Sequence, residues 1–190
     1  MECINKKTIA CEFSNENIPL EQANTLVNEL LTTFFDLIKE NKELTIQSFG
    51  KFTLKEKKER IGRNIKFKEK IIISPRKVIT FINSKSLKNL LNGNDDPLVI
   101  RNYSTKIAEA LSERYNYKKK FANNLVQIFF NSICVGLSAN KRIEFRNFGT
   151  FTVRNYKSYK GRNPKTGKFV IVPEKKLVYF RYSKSVTKDL

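Results

Sequence analysis

The order of apolar and polar residues divides the chain into helical stretches and stretches of alternating polarity. Apolar residues recur every three or four positions from Ala23 to Ile38 and again from Ala122 to Leu137, which predicts two long amphipathic helices. Pro19 suits the first position of the first long helix. A short amphipathic helix is predicted before each, at 5–13 and 104–115, with Ser104 as N-cap of the latter. We interpret the apolar stripes as core.

A period of two follows each long helix and predicts strands. These lie at 45–47 and 51–54, and at 144–146 and 150–153, around turns at Phe49-Gly50 and Phe148-Gly149. A basic arm comes next, then returning strands at 70–73 and 169–172 and a further strand ending at Phe81 or Phe180. A last basic helix is expected at 84–91 and from 183 to 190. The predicted fold class is therefore α+β, with a helical hairpin, three strands with a protruding arm, and a final helix in each half.

The two halves are copies of one pattern. A shift of 99 positions, without a gap, pairs Phe49-Gly50 with Phe148-Gly149 and Gly62-Arg63-Asn64 with Gly161-Arg162-Asn163. About a quarter of the paired positions are identical, which indicates a duplication. We divide the chain into copy one (1–91), a polar linker (92–98) and copy two (99–190). Because one copy alone has a thin core, each apolar stripe is expected to pack against the other copy.

Composition favours a binding protein over an enzyme. The net charge of the 190 residues is +19 and the pI is about 9.9, which indicates a polyanionic partner, either nucleic acid or an anionic membrane surface. The sequence has no histidine and no glycine-rich phosphate loop, and its three cysteines are widely spaced. We therefore expect no catalytic site, metal or cofactor. We also expect an intracellular protein that does not span a membrane, because no apolar run approaches about 20 residues and the first residues do not resemble a signal peptide.

The charge is distributed unequally. Residues 1–92 carry 17 basic and 11 acidic side chains, and residues 93–190 carry 20 and 7, so the net charges are +6 and +13. Copy two is expected to supply more of the electrostatic affinity, which would make the two halves of a bound site unequal.

Copy two resembles the bacterial histone-like family of HU and integration host factor. The resemblance rests on Phe-Gly-Thr-Phe at 148–151, on Gly-Arg-Asn-Pro-Lys-Thr-Gly-Lys at 161–168, and on the apolar strand and Ser-Lys helix that follow. Copy one matches more loosely. The resemblance implies an intertwined dimer in which a helical base and a sheet saddle carry two arms. It further implies that the arms enter the minor groove of duplex DNA and that a proline at each tip kinks the duplex. Both subunits lie in one chain here, which implies a single-chain pseudo-dimer that bends and condenses DNA in the cytoplasm, at the nucleoid.

The resemblance assigns a DNA-binding set in copy two, with Pro164 as the wedge. A rigid apolar ring between cations suits that role on physical grounds, although it equally suits a turn with Gly167. Arg146 is implied to enter the minor groove, or is simply an exposed arginine; copy one has Gln47 there. Tyr156 and Tyr159 replace residues that are often basic in the family, which leaves their contacts open. The implied set is Arg146, Arg154, Lys157, Lys160, Arg162, Asn163, Pro164, Lys165, Lys168 and Lys184.

Copy one differs at its arm tip. Ile65 replaces the proline and Phe67-Lys68 replaces Thr166-Gly167, so the loss of that glycine predicts a changed turn. Either Ile65 or Phe67 acts as the wedge, or this arm only grips the backbone. The implied set in copy one is Lys55, Lys57, Arg60, Arg63, Asn64, Ile65, Lys66, Lys68, Lys85 and Lys88.

Three alternatives remain open at this stage. The same basic arms would serve an RNA-binding protein or a nucleic-acid chaperone. Two chains that exchange copies would form a homodimer able to bridge duplexes. Binding to an anionic membrane is the least favoured, because the apolar stripes are accounted for as core.

Overall fold

The fold is α+β and contains two copies of one unit, as the sequence predicts. The structure, a computed structural model, describes residues 3–94, 103 and 106–183. Ser104, Lys184, positions 95–98 of the linker and most of the last predicted helix lie outside these residues. Copy one comprises β1 (Cys3–Ile4), α1 (Lys6–Ser14), α2 (Leu20–Asn41), β2 (Glu43–Ile46), β3 (Gly50–Lys57), β4 (Arg60–Arg63), β5 (Lys70–Ile73), β6 (Arg76–Asn83) and α3 (Lys85–Leu91). Copy two comprises α4 (Lys106–Tyr115), α5 (Lys119–Ser138), β7 (Arg142–Phe145), β8 (Gly149–Tyr156), β9 (Tyr159–Arg162), β10 (Phe169–Val172) and β11 (Lys175–Tyr182).

Local signals fix several helix ends. The Asn5 side chain accepts hydrogen bonds from the backbone N–H groups of Lys7 and Thr8, at 2.9 and 3.2 Å, and so caps α1. Ser84 caps α3 through a 3.0 Å bond from the Leu87 N–H. Pro19 lies one residue earlier than predicted, at the N-cap of α2.

The repeat needs one gap, which corrects the ungapped alignment. The buried residues of α1 are Ile9, Ala10 and Phe13, and those of α4 are Ile107, Ala108 and Leu111, a shift of 98. From Asn17 and Asn116 onward, both in the left-handed region at φ 61° and 55°, the shift is 99. Copy two therefore has one extra residue at the end of its first helix.

Each copy contributes a small antiparallel sheet, and the sheets adjoin. β3 pairs with β2 and β6 in copy one, and β8 pairs with β7 and β11 in copy two. At the seam the Asn83 amide donates to the Val178 carbonyl (2.9 Å) and accepts from the Val178 N–H (2.7 Å). These bonds join β6 to β11 and set the two sheets side by side.

Both copies pack into one hydrophobic core. Phe34 of α2 lies edge-on to Phe148 with ring centroids 5.1 Å apart, and Phe52 lies edge-on to Phe180 at 5.4 Å. Phe49 approaches Phe130 of α5 at 5.0 Å. All six rings are less than a tenth exposed. The expectation that each apolar stripe packs on the other copy therefore holds in this structure.

The strand β1 was not predicted, and it joins the first residues to copy two. Cys3 and Ile4 pair in parallel with Arg142 and Ile143 at the edge of the copy-two sheet. A methyl group added at Gly136 of α5 would lie 2.3 Å from the Ile4 Cδ1 atom. A glycine is needed at that point because Ile4 occupies the space where a side chain would be.

One helix of the described residues, α5, is long and apolar enough to span a membrane by length and composition alone, contrary to expectation. Half of that window is buried against the rest of the protein. Its apolar character is explained by its place in the shared core.

Candidate nucleic-acid interface

Each arm is a two-stranded hairpin that continues a sheet after a break. β4 pairs with β5, and β9 with β10, as ladders separate from the sheets below them. Pro75 and Pro173 lie in the returning segments between arm and sheet. A proline has no N–H to donate to a ladder, so the hydrogen bonding is interrupted where each arm begins.

The tip of arm two is a tight turn built by Asn163 and Gly167. The Asn163 N–H donates to the Lys168 carbonyl (2.9 Å), and the Gly167 N–H donates to the Asn163 carbonyl (2.8 Å). The Asn163 side chain accepts from the Lys165 N–H at 2.9 Å, and Arg162 Nε donates to the Gly167 carbonyl at 2.8 Å. With Gly167 at φ 68°, this network holds Pro164 exposed at the end of the arm.

The tip of arm one keeps the same turn, so the prediction of a changed turn is wrong. Lys68 occupies the position of Gly167 and adopts φ 56°. The Asn64 N–H donates to the Glu69 carbonyl (2.9 Å), and the Asn64 side chain accepts from the Lys66 N–H (3.0 Å), as in arm two. Ile65 takes the place of Pro164 and is 91% exposed. The two tips thus share the left-handed residue and both asparagine hydrogen bonds, and they differ in the side chain presented at the end of the arm.

Both arms expose apolar residues between cations. Opposite residues of an antiparallel pair share a face. One face of arm two therefore carries Arg162 opposite Phe169 and Lys160 opposite Ile171, with the Lys160 ammonium 4.7 Å from the centre of the Phe169 ring. In arm one the equivalent face carries the pairs Arg63–Lys70 and Ile61–Ile72. The exposed fractions of the apolar members are large: Ile61 73%, Ile72 70%, Phe169 68% and Ile171 81%. Exposed apolar side chains at this density indicate a surface that is covered by a partner.

The outer face of the copy-two sheet forms an arginine-lined groove of about 480 Å³. The structure brings the predicted Arg146 and Arg154 together there with two arginines that the sequence did not single out, Arg142 and Arg181. The Arg154 guanidinium lies 3.3 Å from the centre of the Tyr179 ring, which fixes its direction. The strand alternation could have identified Arg181, because Val178 and Phe180 are buried while Tyr179 and Arg181 are exposed.

The face continues across the seam into copy one. A second groove of about 520 Å³ is lined by Lys57 and Arg76 from the base of arm one and by Tyr179 and Arg181 from copy two. The copy-one sheet face is less basic. Glu43 and Ile82 stand where copy two has Arg142 and Arg181, and each face holds an ion pair, Lys51 with Glu43 at 2.7 Å and Arg142 with Glu144 at 2.6 Å.

The remaining predicted cations lie at the arm bases and on the flank, and all of those described are exposed. Lys88 of copy one and Lys157 of copy two line one groove with Lys175 and Lys176. The Asn92 side chain secures this junction by accepting from the Lys176 N–H at 2.8 Å. Lys55, Lys57, Lys85, Arg60, Lys66, Lys160, Lys165 and Lys168 are also exposed, on the strands, the arms and the start of α3.

The charge difference between the copies lies below the arms. Residues 55–77 carry ten basic and three acidic side chains, and the matching residues 154–176 carry eight and one, so each arm region has a net charge of +7. The excess of copy two therefore belongs to its sheet face, helices and terminal segment.

Comparison with known proteins gives a consistent assignment. The family model of the bacterial DNA-binding protein matches twice, at residues 4–92 and 104–190. The chain is 38% identical over 76 residues to the integration host factor subunit alpha of Mannheimia haemolytica, covering 40% of this chain and 77% of the relative. It is 41% identical over 76 residues to the same subunit of Glaesserella parasuis, covering 40% and 78%. An Anabaena HU–DNA cocrystal structure aligns with a TM-score of 0.41 and 25% identity, over 44% of this chain and 91% of that chain.

Proposed function

The chain belongs to the bacterial DNA-binding protein family, a family of architectural DNA-binding proteins and not of enzymes, and from this premise we propose that it bends duplex DNA with both arms in the minor groove. As a nucleoid-associated protein it would act in the bacterial cytoplasm. The relatives are integration host factor subunits, so the expected ligand is a duplex with little sequence preference or with a preference for deformable sites.

The observation that carries this proposal is the surface of the arms. Each arm exposes apolar side chains next to cations on a hairpin whose two faces are both open to solvent. Cations meet phosphates, and apolar side chains meet sugar edges and wedge between bases. The basic face of the two adjoining sheets extends between the arm bases and would contact phosphates of the duplex there.

We further propose that both tips act as wedges, one through Pro164 and one through Ile65. The two residues occupy the same position of the same turn and both are exposed. Proline is rigid, whereas isoleucine has rotamers to lose on insertion, so the Pro164 side of the kink should be the sharper one. This makes the complex a bend with two unequal kinks.

The test is the bend angle of a short duplex labelled at both ends, measured by energy transfer with Pro164→Ala, Ile65→Ala and the double variant. Each single change should reduce the bend, and the double variant should reduce it most. Thr166→Ala is the matched control at the same tip and should leave the bend unchanged. A bend that none of the three variants alters would contradict the wedge proposal, and a duplex RNA that competes equally with DNA would favour a general nucleic-acid binder.

A further inference from the structure

We propose that the helical base carries a pairing code that makes copy one associate with copy two and disfavours pairing between like copies. The code consists of Glu29 and Asp36 on α2, which meet Tyr117 and Arg114 of copy two. This inference concerns assembly and does not depend on the proposed function.

The contacts across this face are specific and polar. Arg114 Nη1 lies 2.6 Å from the Asp36 carboxylate, and Arg114 Nη2 lies 4.0 Å from Glu40. The Tyr117 hydroxyl donates to Glu29 Oε2 at 2.8 Å. All of the acidic groups belong to copy one, and both of their partners belong to copy two.

Among the described residues, the opposite face, where α1 packs on α5, has no counterpart of these two contacts. The positions that match Glu29 and Asp36 are Ile128 and Val135, and Ile18 matches Tyr117. The residue of copy one that matches Arg114 depends on the shift used, because the extra residue of copy two lies nearby. The shift of 98 that aligns the first helices pairs Arg114 with Glu16, and the shift of 99 that applies afterwards pairs it with Asn15. Neither Glu16 nor Asn15 is a cation. The described polar link there is a 3.4 Å bond from the Asn124 amide to Glu16. Ile18 and Ile128 instead pack at the edge of the core.

Like copies would therefore be mismatched. Two copies of copy one would set Asp36 near Glu16 or Asn15, and Glu29 near Ile18. Two copies of copy two would set Arg114 against Val135, and Tyr117 against Ile128. Each carboxylate or guanidinium would lose its partner, and in the first case like charges would approach one another.

The size of the preference follows from the exposure of the contacts. The side chains of Arg114 and Asp36 are 37% and 34% exposed. A contact of this kind changes the equilibrium constant for pairing by about threefold in favour of the unlike pair. Two unlike pairs hold four such contacts, and all four are lost when the copies rearrange into one pair of copy one and one pair of copy two. From these contacts alone we expect about nine-tenths of the pairs to be unlike, compared with about half for purely statistical mixing, and the packing of Ile4 on Gly136 adds to the same preference.

The experiment starts from the intact, folded chain with a protease site inserted between Asn94 and Tyr103. After cleavage the two copies remain associated and can exchange partners, which is accelerated by a brief exposure to urea. Native mass spectrometry without DNA then counts unlike and like pairs. About nine-tenths unlike pairs supports the code, and a near-statistical mixture overturns it. The readout does not involve DNA, so failure of the DNA-binding proposal would not affect it.

A redesigned pair makes the test independent of core shape. Glu16→Arg with Val135→Asp gives every pairing a matching ion pair, so the Arg114–Asp36 preference is lost while the Tyr117–Glu29 contact and the packing of Ile4 on Gly136 remain, and the unlike fraction should fall below that of the native chain. The neutral control Glu16→Gln with Val135→Asn should keep the original fraction. If the redesigned chain still pairs as the native one does, discrimination resides in the core and the proposed code is wrong.

Discussion

Lys68 shows that a backbone conformation, more than a residue type, defines the arm tip. The sequence of copy one lacks the glycine expected there, yet Lys68 adopts the same left-handed conformation as Gly167. A non-glycine residue in this region costs about 1 kcal/mol, and in arm one it accompanies the same two asparagine hydrogen bonds as in arm two. Replacement of a turn glycine is therefore weak evidence that a turn has changed when the side-chain contacts of the turn are kept.

Tyr117 gives a prediction for pH dependence. Burial, and then the hydrogen bond to Glu29, raise the pKa of Tyr117 from 10.0 to about 12. A group whose pKa is higher in the folded state contributes its full stabilisation at pH values below its pKa in the unfolded state. This contribution is lost as the pH rises through the pKa of the folded state. The difference in unfolding free energy between the native chain and Tyr117→Phe should therefore be constant below about pH 10 and shrink toward pH 12.

Urea unfolding at a series of pH values measures this difference. Glu29→Gln is the control, because it keeps an acceptor for the hydroxyl but removes the nearby negative charge, and it should lower the pKa of Tyr117. If the difference in unfolding free energy between the native chain and Tyr117→Phe does not change with pH, the raised pKa is not due to this contact.

The proposed DNA-binding residues divide into those that the sequence could predict and those that it could not. The arm residues were predictable because Gly-Arg-Asn and the cations around it form a contiguous motif at 62–64 and 161–163. Arg142 and Arg181 are isolated arginines about 40 positions apart, and only the register of β7, β8 and β11 brings them into one groove. Their contribution depends on tertiary structure, which a local motif does not encode.

At the scale of elements, periodicity predicted the positions of the helices and strands, but it did not predict the pairing of β1 or the alignment of the two first helices. The returning strands 70–73 and 169–172 were predicted with their observed bounds. By contrast, β1 has two residues, which is too few to show a periodicity. Its partner strand, β7, lies in the other copy, so no local pattern in the sequence points to the pairing. The one-residue offset between α1 and α4 was likewise not predicted. Most of the identical residues lie after the first helices, where the shift is 99, and they set the shift for the whole alignment.

The contact between β1 and α5 predicts a specific coupling between two substitutions. Gly136→Ala should destabilise the fold, because the new methyl group meets Ile4 Cδ1 at 2.3 Å and Ile143 Cδ1 at 2.9 Å. Ile4→Ala alone should cost about 2 kcal/mol or less, since Ile4 is only half-buried. Because the clash is with Ile4, the double variant should be more stable than the sum of the two single effects.

Chemical denaturation of the four proteins in this cycle measures the coupling. A coupling of about 1 kcal/mol in the favourable direction is expected. Strictly additive effects would show that Ile4 does not pack on Gly136, and would also remove the support for β1 as a stable strand.

At the scale of the whole molecule, the sheet face should make the two sides of the complex unequal. The arms carry equal net charge, but Arg181 of copy two is matched by Ile82 of copy one. Arg181→Ala should weaken DNA binding and reduce the slope of log affinity against log salt by about 0.9 for one lost phosphate contact. Ile82→Ala is the matched control and should leave the slope unchanged.

Fluorescence anisotropy of a labelled duplex at four or more salt concentrations gives both slopes. A native affinity that hardly depends on salt would contradict binding dominated by phosphates. Equal slopes for the native chain and Arg181→Ala would place Arg181 outside the contact surface.

The shared core predicts a single-chain particle. Phenylalanines of both copies interleave, and the side chains of Asn83 and Asn92 join the copies through hydrogen bonds to the backbone of β11. The linker keeps the copies at high effective concentration, so pairing within one chain should prevail over exchange. Light scattering should give 22.2 kDa at micromolar concentration, and twice that mass would indicate the exchanged dimer.

The pairing of the first residues with β7 also constrains how the protein is made. Cys3 and Ile4 leave the ribosome some 140 positions before Arg142 and Ile143, their partners in the sheet. At about 5–20 residues per second, the N-terminal strand waits on the order of ten seconds for an edge to join. Copy one therefore cannot complete its own fold during synthesis, and its exposed phenylalanines depend on the timely arrival of copy two. Slow translation between the copies should raise the yield of misassembled chains.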